Sequence, residues 1–389
     1  MNKDSLFAKL DYTLIFIVFL LFCVSLTAIY CAPLPPKLDN NYFVLHQLIW
    51  YIVGAMFAVG VFLIDYDRFR QIGWVLYGIC LALLVGLFLA KGGLPVPFAH
   101  ESHGAYSWYA LPGIGSVQPS EFMKIALILV LSRLIVEHNE ENPNRSLRDD
   151  LRLLGKMALA SLPPLAFVLI QPDLGTVLVM AATVLSMILV SGVRWRLILA
   201  ILLAIILGIA ALVICYFTFP AVIGLVLQQH QLDRFYGWLA PYKYSNQEGF
   251  QLINSLNAIG SGQLYGTGFG NQTMVLPESY NDFIFSVVGN AFGFFGASAL
   301  IALFFLLIYR IIHAALKTHD PFGTYICTGI IGMLMFTIFE NIGMTIQVMP
   351  ITGIPLPFIS YGGSSLLTNM MSIGLVLSIQ ARSRKYMFD

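Results

Sequence analysis

Charge is what this sequence has least of. Of its 389 residues 11% are charged, less than half of the roughly 25% usual in soluble domains. A soluble globular domain is thereby excluded. The 58% of hydrophobic residues fall in long runs, so the fold class is all-α and polytopic in a membrane. The net charge of +1 leaves no electrostatic footprint for a nucleic-acid partner. Five cysteines (Cys23, Cys31, Cys80, Cys215 and Cys327) lie in or at the ends of apolar runs. They show no pairing and no C-x-x-C spacing, which excludes a disulfide framework and a zinc site. The seven histidines are scattered as well. The first apolar run lacks a small-residue cleavage site, so it reads as a membrane anchor and not as a removable signal. There is no internal repeat and no composition break. Residues 1–389 read as one transmembrane domain, with an outer loop at 218–281 included.

Ten segments approach or reach spanning length: near 12–31, 44–64, 72–90, 120–137, 156–171, 174–192, 197–217, 283–309, 323–345 and 363–380. With the N-terminus in the cytoplasm, only Lys37, Lys91, Lys124, Arg234 and Lys243 of the 21 lysines and arginines fall outside, which leaves 16 inside. The positive-inside rule therefore places both termini in the cytoplasm. The longest cytoplasmic loop is the charged stretch from Glu137 to Leu154. Two outer loops are longer: Lys91 to Pro119, with several Gly and Pro, and Thr218 to Asn281. The second carries Phe235, Tyr236, Trp238 and Tyr242, residues that settle at membrane interfaces. Apolar positions at Leu252, Ile253, Leu256 and Ile259 predict a short amphipathic helix there.

Polar residues at the outer ends of these segments are the candidates for chemistry. Ser120 reads as a helix cap, with Glu121 in the first turn and Lys124 three residues on. The helix dipole disfavours a cation at that end, so a local ion pair and a bound anion such as phosphate are both open readings. Asp173, in the link Gln171-Pro172-Asp173, caps the sixth segment or serves a site. Pro163-Pro164 predicts a kink in the fifth. Glu278 to Asp282 precedes the abruptly apolar run from Phe283. Asp282 there is a solvated helix cap or a partly dry carboxylate with a raised pKa, able to act as a base; spacing does not choose. Glu340-Asn341 lies inside the ninth segment. Met349 to Ser365, with prolines at 350, 355 and 357 and glycines at 353, 362 and 363, predicts a stiff re-entrant turn. Non-helical backbone at that depth must be buried in protein or line a cavity.

Five stretches in order, QPSEFMK at 118–124, QPDLGT at 171–176, NAIGSGQLYGTG at 257–268, LPESYNDFIFSVVG at 276–289 and PITGIPLPFISYGGSS at 350–365, resemble the SEDS family (shape, elongation, division and sporulation), which holds the FtsW, RodA and SpoVE proteins. The resemblance covers nearly the whole chain. It implies a multi-pass protein of the bacterial plasma membrane, a peptidoglycan glycosyltransferase that polymerises lipid II into glycan strands. It implies a class B penicillin-binding protein (the transpeptidase) and other cell-wall synthesis proteins as partners. It makes Asp282 the catalytic residue. Glu121, Lys124, Asp173, Glu278, Ser360, Gly362 and Gly363 become substrate-binding candidates. The departing pyrophosphate calls for cations, so a divalent ion, magnesium or manganese, is an expected cofactor, with no organic one. No metal ligand is identified in the sequence. The short tails fit an elongation-type or sporulation-type member better than a division-type one. Three departures stand out: Ser107 where many members have Arg, Asn254 where many have Gln, and Asn290-Ala291 where many have two glutamates. Gly289, Gly293 and Gly296 mark a face where a partner helix could approach closely. A lipid II flippase, or a non-catalytic scaffold for the penicillin-binding protein, is the alternative function.

The charge asymmetry makes a direct forecast. In a cysteine-depleted background, a cysteine at Gln118 should react with an impermeant thiol reagent in intact cells, and one at Arg148 should not. Labelling at 148 would overturn the orientation.

Overall fold

The computed structural model describes residues 9–33, 40–102, 105–111, 115–218, 229–244, 248–269 and 278–382. Parts of the predicted outer loop 218–281, and Leu276-Pro277 of the fourth family motif, lie outside them. Each of the ten predicted segments is helical: α1 (Tyr12–Cys31), α2 (Asn40–Leu63), α3 (Tyr66–Lys91), α4 (Pro119–Glu141), α5 (Leu147–Ile170), α6 (Leu174–Val190), α7 (Trp195–Thr218), α10 (Ile284–Lys317), α11 (Pro321–Thr345) and α12 (Gly363–Arg382). Between α7 and α10 lie α8 (Gln229–Leu239) and α9 (Glu248–Ser261), the latter on the predicted amphipathic stretch. Among the described residues, seven helices are long and apolar enough to cross a membrane: α1, α2, α3, α5, α10, α11 and α12.

Helix starts follow local chemistry. Asp11 caps α1 through the Leu14 amide (3.1 Å), and Asp320 caps α11 through Phe322 and Gly323 (both 3.2 Å). Ser146 and Asp149 close a capping box that starts α5 at Leu147. The charged stretch predicted as a loop up to Leu154 is therefore mostly helix. The α5 helix runs through Pro163 and Pro164.

The helical α4 is the centre of the bundle. From Pro119 to Ser132 every residue but Phe122 is buried, and α3, α5, α6, α11 and α12 pack around it. A helix enclosed on all sides needs no polar face. That enclosure is what allows a charged pair to be held in its first turns.

Two outer features differ from expectation. The Gly- and Pro-containing loop 91–119 folds as a three-stranded antiparallel meander, β1 (Ala99–Ser102), β2 (Ala105–Leu111) and β3 (Gly115–Val117). Tyr109 faces Ala99 on one side and Val117 on the other, and its hydroxyl donates to the Leu83 carbonyl (2.9 Å). The second difference is a break in α10 at Gly293 (φ 64°, ψ −162°). The glycine-rich turn 262–268 crosses there. The amides of Phe294 and Phe295 donate to the carbonyls of Gln263 (2.8 Å) and Leu264 (3.2 Å), and Thr267 donates to Asn290 (2.9 Å). The groups freed by the break are thus satisfied by another segment of the same chain. A Cβ at Gly293 would lie 2.4 Å from the Gly266 nitrogen. The face expected to admit a partner helix is therefore occupied internally, because the turn is built to lie on it. Asn290, in place of an acid, ties this joint with bonds to the Ala258 carbonyl (3.1 Å) and the Ser261 hydroxyl (2.6 Å).

The last outer loop, residues 346–362, is non-helical and deeply buried, as its prolines and glycines predict: Ile354, Leu356, Phe358, Ile359 and Ser360 are all at most 5% exposed. Its carbonyls are met by side chains from distant helices. Ser25 binds Ile359 (2.7 Å), Gln47 binds Ser360 (3.1 Å), and Tyr51 binds Phe358. Replacing Gln47 by Leu leaves the Ser360 carbonyl without this donor, at a cost of about 1–3 kcal/mol. The thermal midpoint of the purified variant in detergent should fall accordingly; an unchanged midpoint would show that the loop does not depend on this bond.

Candidate active site

The turn 278–283 carries Asp282. The amides of Asn281 (3.0 Å) and Phe283 (3.4 Å) close it onto the Glu278 carbonyl, with Glu278 itself at φ 55°. Phe283 is fully buried with Leu252, Met344 and Ile351. It also occupies the cap position of α10, where no side chain caps the helix. Asp282 is therefore not the cap of α10, and the reading that spacing favours does not hold.

Asp282 is 9% exposed, and its Oδ1 has no hydrogen-bond partner. Burial, seconded by the charge of Glu278, pushes its carboxyl up from 3.8 to about 7. The amides of Asp282 and Phe283 and the charge of Arg234 oppose this without cancelling it. Burial and Glu278 likewise hold the Tyr280 hydroxyl up at about 12. Asp282 is the only one of the two that titrates near neutrality.

The surroundings come from four parts of the chain. On α11, Asn341 donates to the carbonyls of Asp282 and Ile354 (2.7 Å each). Gly353 (φ 75°) lies beside the carboxylate, its missing Cβ 3.6 Å from Oδ2. Arg234 of α8 reaches the Thr352 carbonyl (3.5 Å). One turn on, Trp238 and Gln347 exchange side-chain to backbone hydrogen bonds (3.0 and 3.1 Å) and hold α8 against the end of α11. Arg234 was legible in the sequence only as one of five outer cations; its place one turn before an interfacial Trp is the signal that could have singled it out.

The other predicted residues divide. Ser360 accepts from the Leu356 amide (2.7 Å) and donates to the Asn281 carbonyl, so it braces the Asp282 turn. At Gly363 a Cβ would lie 2.6 Å from the Trp50 ring, and at Gly362 one would lie 3.1 Å from Ser365 Oγ. Glu121 and Lys124 form a buried ion pair (2.9 Å), with Glu121 Oε2 left without a partner. Asp173 caps α6 through the Thr176 amide (3.0 Å) and hydroxyl (2.8 Å), and accepts from Gln118 (2.9 Å). No hydrogen bond joins Asp173 to Lys124 among the described residues. The first turn of α6 touches the Asp282 surroundings: a Cβ at Gly175 would meet Ile354 at 2.5 Å and the Thr352 carbonyl at 3.3 Å. Glu340 is fully buried, and its oxygens meet no donor. No group of three or more His, Cys, Asp and Glu able to hold a metal occurs among the described residues.

An apolar groove of about 610 Å³ lies elsewhere, between α6, α10 and α11, lined by Leu185, Leu189, Ile312, Ile331 and Phe336 among others. It follows the end of α10 and the beginning of α11, away from Asp282. Nearly devoid of polar surface, it suits hydrocarbon and not sugar.

The comparisons agree with this geometry. The family profile described as "Cell cycle protein", which covers the FtsW, RodA and SpoVE proteins, matches residues 11–385. The chain is 34% identical to "Stage V sporulation protein E" of Bacillus subtilis (strain 168), with 96% of this chain and 98% of that protein covered. It is 32% identical to "Probable peptidoglycan glycosyltransferase FtsW" of Trichlorobacter lovleyi, with 98% and 96% covered. Among solved structures it superposes with a TM-score of 0.77 on a chain from work on "polymerization and crosslinking by a peptidoglycan synthase complex" (27% identity, 98% of this chain, 99% of that one). It superposes at 0.67 on the "Rod shape determining protein RodA" of Thermus thermophilus (26% identity, 98% and 99% covered). The chain belongs to the FtsW/RodA/SpoVE family of multi-pass membrane proteins, the SEDS family.

Proposed function

We propose that this chain is a peptidoglycan glycosyltransferase that polymerises lipid II at the outer face of the bacterial plasma membrane, with Asp282 as its general base. The observation that carries the reading is a buried carboxylate held near neutral pKa, with one oxygen unpartnered, beside a cation from another helix. A sugar hydroxyl of one lipid-linked chain attacks the anomeric carbon of the next. The new C–O bond forms as the bond to pyrophosphate breaks, and its electron pair leaves with the lipid pyrophosphate. Asp282 takes the hydroxyl proton. One base on the face opposite the leaving group gives inversion. Arg234 is the nearer cation for the pyrophosphate; Lys124, already paired with Glu121, is the second.

A divalent ion fits part of this set. Asp282 Oδ1 is an orphaned acceptor, and Glu278 is close enough for its charge to be felt. Those two carboxylates would hold magnesium or manganese, with water and phosphate oxygens completing the shell. Bound there, the ion would offset charge on the departing pyrophosphate.

On the same reading all ten long helices span the membrane with both termini inside. The 16-to-5 charge distribution supports it. A class B penicillin-binding protein is the proposed partner, in keeping with the synthase complex on which the chain superposes.

The base assignment has a clear test. Asn serves as a helix cap as well as Asp does, so Asp282→Asn would be silent in a merely structural position. Here it should abolish glycan synthesis from lipid II by the purified complex, with folding and partner recovery intact. Wild-type product from that variant would remove Asp282 from the mechanism.

The raised pKa has two further consequences. The base must be ionised, so activity should rise with pH through about 7. For stability the sign is opposite. The folded state binds the proton more tightly than the unfolded one, so stability falls as pH rises from about 4 to about 7. Asp282→Asn, which cannot ionise, should therefore melt above wild type at pH 8, and the gap should shrink toward pH 5. Equal midpoints at both pH values would mean that the carboxylate is not desolvated.

A further inference from the structure

We propose that Asn341 is a positioning residue for Asp282, its side-chain amide setting how the carboxylate lies against the backbone of residues 352–354. The inference rests on Asp282 being the base. Asn341 is 0% exposed on α11. Its NH2 group has two hydrogens, and both are used: one on the Asp282 carbonyl and one on the Ile354 carbonyl, each at 2.7 Å. The two acceptors belong to segments without regular structure, the turn before α10 and the last outer loop. Neither segment has a ladder of its own to fix its distance from the other. The amide supplies that fixed point from a rigid helix.

The consequence falls on the carboxylate. Gly353 has no side chain at φ 75°, and a Cβ there would stand 3.6 Å from Asp282 Oδ2. The 353 backbone is thus one wall of the carboxylate's surroundings. How closely that wall lies decides how little water reaches Asp282, and so how far burial raises its pKa. Few side chains meet the geometry. Asp has the shape without the donors, Leu has neither, and Ser offers a single donor on a shorter arm.

The test uses full-length protein with its transpeptidase partner and lipid II. Asn341→Ala should lower kcat at pH 8 by about 100-fold, the scale of a misplaced catalytic group, with KM for lipid II changed less than about threefold. The midpoint of the rising pH limb should fall by about one unit or more as water reaches the carboxylate. Independently of activity, the loss of thermal stability between pH 5 and pH 8 should flatten toward that of Asp282→Asn. Asn341→Ser, with one donor, should lie between. An unchanged pH midpoint with an unchanged stability slope would overturn the proposal, whatever happens to kcat. Failure of both variants to fold would overturn it too, because the amide would then be a general brace. If the stability slope flattens while Asp282→Asn still makes glycan, the positioning stands and the base assignment falls.

Discussion

The structure depends on one constraint: irregular backbone placed where there is no water must find its hydrogen bonds inside the protein. Residues 346–362 form such a stretch, and the bundle is arranged to serve it. Ser25 from α1, Gln47 and Tyr51 from α2, Trp238 from α8 and Asn341 from α11 each donate to one of its carbonyls. Each bond joins parts of the chain far apart in sequence, so the loop holds the outer ends of the bundle in register. The same loop then holds the site. Ser360 binds the Asn281 carbonyl, and the Tyr361 amide binds that of Tyr280 (2.9 Å). The turn that carries Asp282 is therefore fixed from both flanks by a loop that is itself fixed from elsewhere.

A carboxylate in such a place is expensive. An ionised group without enough partners destabilises the fold, and the usual relief is protonation. Asp282 sits at the balance point. Burial and Glu278 push it toward the neutral acid, while two amides and Arg234 push it back. The bonds that brace the turn supply the rigidity that a half-compensated charge would otherwise relax. Glu121 and Lys124 show the contrasting solution in α4, a complete ion pair at 2.9 Å within a helix enclosed on all sides.

Much of this was legible in the sequence for a physical reason: membrane helices announce themselves as apolar runs, and a loop with three prolines and three glycines at that depth announces a buried, irregular turn. Short strands carry no such signal, so the meander at 99–117 was hidden among its glycines. The start of α5 was missed because a capping box, Ser146 with Asp149, can begin a helix inside a charged stretch. The role of Asp282 could not be read from spacing, because the cap position fell one residue later, on Phe283. The glycines of α10 were visible as a face for close approach, but what approaches is the turn 262–268 of the same chain. Arg234 was countable and not placeable, since its partner Thr352 lies on another outer segment.

The two ends of the bundle treat charge differently, and the difference bears on mechanism. At the end assigned to the cytoplasm, cations are matched: Arg194 with Asp150, Arg310 with Asp11, Arg382 with Asp65, Arg70 with Glu140. At the outer end Arg234 has a carbonyl at 3.5 Å and no carboxylate within salt-bridge distance. Its charge is felt by Asp282 without a direct pair. Consider what one turnover does to that balance. When Asp282 accepts the proton, its negative charge disappears at the moment negative charge grows on the departing pyrophosphate. The attraction of Arg234 is then released from the base to the leaving group without any group having to move. A tightly paired arginine could not do this, because its compensation would be fixed before and after the reaction. Leaving Arg234 without a carboxylate partner is thus what lets one cation serve both ends of the same bond exchange.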